Sequence, residues 1–154
     1  MRFANRTAQM TPRQIELVQA SWRSILPIRD TFAEIFYGKL FSLDARLAPL
    51  FEAKVDMHDQ GRSLAAMISI AVRGLPHPES TSQALRGLGS RHAAYGVKDK
   101  DYDTFAVALL WTLAHSLGEE FTEELAQAWR AAYGSLVRAM AAGDPGASRR
   151  RARD

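Results

Sequence analysis

The sequence predicts an all-α protein. Three observations carry that reading. Apolar residues recur at helical spacing along every long segment, N-terminal caps and glycine stops bracket those segments, and no stretch alternates apolar with polar residues between hairpin turns. Counted along the chain, the segments give six or seven helices with short links, no internal repeat and no second domain. Residues 11–143 are the expected folded unit. A flexible extension over 1–10 precedes it, and a disordered, Arg-rich tail over 144–154 follows.

The first helix opens at "TPRQIELVQASW". Thr11 is its N-cap, Pro12 fits the first helical position, and Gln14 completes a capping box. Ile15, Val18, Trp22 and Ile25 follow at helical spacing until Pro27 ends or kinks the helix. A second helix spans about Asp30 to Phe41, with Phe32, Ile35, Phe36, Tyr37 and Leu40 as inward residues. "SLDARLAPLF" reads as a short helical turn capped by Asp44 and broken near Pro49. A long helix covers Met57 to Arg73, with a stripe through Met57, Gln60, Leu64, Met67 or Ile68, and Ala71. "GLPHPES" is a loop. The next helix carries "LRGLGSRHAAYGV" and stops at Gly96. Another runs from Asp101 to Leu117 with Phe105, Leu109, Trp111 and Leu113, and Gly118 ends it. Thr122 caps the last helix, where Glu123 and Glu124 suit the positive end of the helix dipole. That helix runs through Trp129, Tyr133 and Val137 to Gly143. Trp22, Trp111 and Trp129 read as packing residues.

Composition narrows the chemistry. The chain has 154 residues, enough for one domain with a sizeable core. It has no cysteine, which excludes disulfides, thiolate metal sites, iron–sulfur clusters and a cysteine nucleophile. The apolar run that holds "AVALLW" is far too short to span a bilayer, and "MRFANRTAQM" lacks the apolar stretch of a secretory signal. A cytoplasmic protein is expected. The sequence pI near 9.5 points first to nucleic acid. However, the net charge is only +3, and the four Arg and two Asp from Asp144 onward supply +2 of it. The folded part is close to neutral, and no nucleic-acid partner is expected.

Three polar residues break the inward apolar pattern. His92 shares a helix face with Leu85 and Leu88, Gln60 shares one with Leu64, and Tyr37 lies between Phe36 and Gly38. A ring nitrogen facing a core must find a partner, which could be a backbone carbonyl, a water or a metal. Taken singly, His92 reads as a satisfied core histidine, Tyr37 as a core tyrosine and Gln60 as a solvated residue. A phenol, an amide and an imidazole in one apolar cavity would all be satisfied by a shared ligand, and haem iron fits that description.

The ordered segments "FYGKLF…LAPLFEA…QGRSL…GSRHAAYGV…DYDTF…AWRAAYG" resemble bacterial single-domain globins and the haem domain of flavohaemoglobins. "LGEEFTEELAQAWRAAYGSLVRAM" also resembles the end of neuroglobin. The separations agree as well: 14 positions from Tyr37 to Phe51 and 32 from Gln60 to His92. The resemblance implies a globin fold around a pocket for haem b, held without covalent attachment. It implies His92 as the proximal iron ligand, Tyr37 and Gln60 as the distal polar pair, and Phe51, Leu64, Leu88, Val97, Tyr102 and Phe105 as haem contacts. His58 lies two residues before Gln60, about 200° round the helix, and points away, so five-coordinate ferrous iron is expected. Two features depart from the flavohaemoglobins. Tyr102 matches their proximal tyrosine, but the glutamate's place falls near Asp144, beyond the last helix. The sequence to Asp154 also carries no flavin- or nicotinamide-binding part.

The resemblance therefore implies reversible binding of dioxygen, carbon monoxide or nitric oxide, for oxygen binding, transport or scavenging. The alternative is an enzyme that converts nitric oxide to nitrate with electrons from a separate reductase. A sensor would need an output domain, and a haem-free helical interaction module would be colourless.

Overall fold

The computed structural model describes residues 9–52 and 57–142, with the side chains among them except those of residues 51–60. Every regular element there is helical. The α-helices are α1 Pro12–Ile25, α2 Arg29–Leu43, α3 Ala48–Glu52, α4 Met57–Arg73, α5 Ser82–Ala94, α6 Asp99–Leu117 and α7 Glu123–Ala141. Single 3-10 turns precede α2, α3, α5 and α7.

The local signals act where the sequence puts them. Thr11 accepts from the Gln14 amide at 3.1 Å, and the Gln14 side chain accepts from the Thr11 amide at 3.0 Å. Pro27 sits in the 3-10 turn that divides α1 from α2. Asp44 accepts from the Arg46 amide and starts the turn before α3. Gly96 (φ +97°) and Gly118 (φ +59°) end α5 and α6 in conformations that a Cβ would strain. Thr122 accepts from the Leu125 amide.

The core lies where α1, α2, α4, α6 and α7 meet. Val18, Ile25, Phe32, Leu40 and Leu113 are fully buried there. Two indoles fasten this core through serine hydroxyls. Trp22 Nε1 donates to Ser69 Oγ of α4, and Trp129 Nε1 donates to Ser21 Oγ of α1, both at 2.9 Å. Trp22 meets Trp129 and Phe32 edge-on, at centroid distances of 6.2 and 5.5 Å. Met10, just before α1, also packs on this core.

Trp111 corrects an expectation. It does not join the inward face of α6 with Phe105, Leu109 and Leu113. It is 42% exposed, stacked on His115, with Lys39 Nζ 4.6 Å from its ring centroid. Leu109 and Trp111 are two residues apart, about 200° round a helix, so one stripe cannot hold both.

Ser21 is the cheapest place to test the core. Its hydroxyl accepts from Trp129 and donates to the Val18 carbonyl at 3.0 Å. Ser21→Ala leaves a buried indole N–H unsatisfied and should cost about 1–3 kcal/mol in urea unfolding. Ser24→Ala, on the exposed side of the same helix, should change stability by less than about 0.5 kcal/mol. Equal midpoints for the two variants would count against the indole–serine bond.

Candidate functional site

His92 sits near the C-terminal end of α5, and the chain around it is tightly returned. The Tyr95 amide donates to the carbonyls of Arg91 and His92, at 3.0 and 3.2 Å. Gly96 reverses the chain, and the Val97 amide comes back to the His92 carbonyl at 2.9 Å. The histidine backbone is therefore fixed by the turn that follows it. On the same helix Leu85 and Gly89 are buried, and Leu88 and His92 are half-buried.

The imidazole faces two aromatic residues of α6. Tyr102 places its hydroxyl 3.4 Å from Nδ1, a long hydrogen bond. Phe105 meets the imidazole edge-on at 6.4 Å, and Tyr102 meets Phe105 at 5.5 Å. Burial, assisted by the neighbouring Arg91 guanidinium, pushes the His92 pKa down to about 4, so the ring is neutral at ordinary pH. Tyr102 is itself held from α7: Tyr133 donates its hydroxyl to the Tyr102 carbonyl at 2.6 Å. The sequence marks Tyr133 as inward but gives no sign of this bond, because the acceptor is a backbone carbonyl 31 residues away.

Tyr37 lies buried on α2, stacked on Phe41 and edge-on to Phe36. The crossing of α2 with α4 sets what stands near it. Gly61 meets Ala33 so closely that a Cβ on Gly61 would lie 2.9 Å from the alanine methyl. Ala33 and Tyr37 are one turn apart on α2, while Gln60 adjoins Gly61 and Leu64 follows Gln60 by a turn. Leu64 is half-buried against the core. The side chains of Phe51, His58 and Gln60 lie outside the described residues.

The structure thus brings Tyr37, Val97 and Phe105 into one buried cluster, with Leu64 and Tyr102 packed against it. His92 joins through its contacts with Tyr102 and Phe105. Leu88 lies about one turn before His92, outside that cluster. Of the other histidines with described side chains, His77 is exposed beside Glu79 and His115 is exposed against Trp111. His92 is a single imidazole in an aromatic and aliphatic surround. That donor set would suit a metal whose remaining ligands come from a macrocycle.

The sequence pattern of the globin family matches residues 35–140. Neuroglobin-1 of Oncorhynchus mykiss is 28% identical over 147 residues, covering 88% of this chain and 92% of that protein. A flavohemoprotein of Deinococcus radiodurans is 29% identical over 132 residues, covering 85% of this chain but 33% of that protein. The chain therefore spans a third of that relative's length. The structure of a bacterial globin from Campylobacter jejuni matches with a TM-score of 0.78 at 19% identity, covering 94% of this chain and all of that one.

Two tyrosines should resist titration. Burial raises the phenol pKa of Tyr37 and of Tyr133 above the ordinary value. A raised folded-state pKa means that the contribution to stability is complete below about pH 10 and is lost as pH rises beyond it. Of the four tyrosines, no more than two should ionise reversibly in the folded protein, followed by tyrosinate absorbance. Four reversible ionisations with the helix signal intact would contradict the burial of these two phenols.

Proposed function

Since the chain belongs to the globin family, we propose that it holds haem b through His92 and reversibly binds dioxygen or a similar diatomic gas at five-coordinate ferrous iron. The observation that carries this reading is the neutral His92 imidazole, set between Tyr102 and Phe105, with no acidic partner among the described residues. Haem, when bound, supplies a ferrous iron with a coordination position open to a gas. The rest is the work of the chain.

His92 would hold the iron through Nε2. That requires the proton on Nδ1, which then donates to the Tyr102 hydroxyl oxygen and fixes the plane of the ring. By the resemblance to globins, Phe51, Leu64, Leu88, Val97 and Phe105 would supply the apolar walls that exclude water. Tyr37 keeps its proton because burial disfavours the phenolate, so its hydroxyl remains a donor. By the resemblance to globins, the Gln60 amide would be the second donor. With haem held there, two such donors in a dry pocket would favour a ligand that carries partial negative charge, dioxygen over carbon monoxide. His58, two positions from Gln60, is not assigned to the iron.

A second reading rests on the Tyr102–His92 contact, which matches the resemblance to flavohaemoglobins. The same pocket would serve conversion of nitric oxide and dioxygen to nitrate, with one electron from a separate reductase.

Absorption spectra of the ferric, ferrous and oxygenated protein test the assignment. His92→Ala should greatly weaken haem retention, and a variant that keeps the wild-type ferrous spectrum would refute His92 as the ligand. In the distal pocket, one phenol hydrogen bond to a charged acceptor is worth roughly 1.5–3 kcal/mol. Tyr37→Phe should therefore speed dioxygen dissociation about ten- to a hundredfold in stopped-flow measurements, with a smaller effect for Gln60→Leu. A change within about twofold for Tyr37→Phe would show that the hydroxyl serves another partner.

A further inference from the structure

Helices α5 and α7 touch at a point where no side chain stands between their main chains. Gly89 of α5 is buried there. A Cβ built on it would lie 1.9 Å from the Met140 carbonyl oxygen, 2.6 Å from the carbonyl carbon and 2.9 Å from the Met140 Cα. These are main-chain atoms in the last turn of a 19-residue helix, so no rotamer change can move them aside. Gly87, in the same helix, is a natural contrast: its Cβ would meet only the far end of the Arg91 side chain, at an ordinary 3.5 Å. Glycine weakens a helix interior, and at Gly89 the close approach requires it.

Gly89 precedes His92 by three residues, about 4.5 Å along one unbroken helix. A displacement at Gly89 is therefore carried to the imidazole. We propose that Gly89 is a positioning residue for the iron ligand: the α5 main chain rests on the Met140 carbonyl, and that contact sets how far His92 projects into the pocket. The inference depends on His92 being the ligand. To relieve the overlap of a Cβ, α5 must move from α7 by on the order of 1.5 Å, well beyond the roughly 0.5 Å within which a functional group must be held. Tyr102 would not follow, because Tyr133 ties its carbonyl to α7. The 3.4 Å contact between Tyr102 and His92 would change, and with it the orientation of the ring.

The test uses the full-length, haem-loaded protein and two substitutions in one helix, Gly89→Ala and Gly87→Ala. The readouts are the iron–histidine stretching band of the ferrous, ligand-free form and the rate of haem transfer to an excess of a scavenging apoglobin. Gly87→Ala should match wild type in both. Gly89→Ala should keep its helix content, shift or broaden the band, and transfer haem about ten- to a hundredfold faster. A wild-type band and transfer rate in Gly89→Ala overturn the proposal. The absence of an iron–histidine band from wild type overturns the ligand assignment and this inference with it. If Gly89→Ala does not load haem, the helix content of its haem-free form decides: wild-type helix content supports the positioning role, and lost helix content makes Gly89 a folding residue and overturns the proposal.

Discussion

Burial keeps the His92 imidazole neutral, and a neutral ring in a largely apolar wall has few groups available to hold it. In the proposed ligation one nitrogen is given to the iron, so only Nδ1 and the backbone remain as points of attachment. The structure uses both. Nδ1 meets the Tyr102 hydroxyl, and the backbone is gripped by the Gly96 turn behind it. Neither grip is worth much alone, since the phenol contact is long and a turn amide is a single bond. What makes them effective is that each is backed by something stiffer: Tyr102 by the 2.6 Å bond from Tyr133, and α5 by its main-chain contact with α7.

Two glycine crossings thus set the helices that carry the candidate site. Gly61 lets α4 close on α2 at Ala33, and Gly89 lets α5 close on α7 at Met140. The first brings the helix of Gln60 and Leu64 up to the helix of Tyr37. The second seats the helix of His92. The space between is defined by main chains, which do not relax as side chains do. Side-chain substitutions in the walls would tune the pocket, whereas a methyl at either glycine would change its dimensions.

The helices were legible in the sequence because their ends carry chemistry: Thr11 with Gln14, Thr122, Gly96 and Gly118 each act as the composition of those positions implies. Tyr37 and Phe105 were legible as inward residues through periodicity, and the resemblance to globins drew them together with Val97 and His92. Trp111 was misplaced because an aromatic residue in an apolar run looks like core, although its spacing from Leu109 sends it outward. The Tyr133–Tyr102 bond and the Gly89–Met140 contact were not legible. Each involves a backbone carbonyl remote in sequence, and every residue has a carbonyl, so no residue type marks the acceptor.

The joining of α1 to α7 has a consequence for the order in which the protein matures on the ribosome. Ser21 and Trp129 are 108 residues apart, so at 5–20 residues per second their bond waits roughly 5–20 s after Ser21 is made. The Trp22 indole can find Ser69 much sooner, across 47 residues. The growing chain can therefore assemble α1, α2 and α4 into a partial layer that already presents the Tyr37 side of the pocket. The side that carries His92 lacks its backing until α7 emerges. On the proposed ligation by His92, firm capture of the haem then belongs to the end of synthesis.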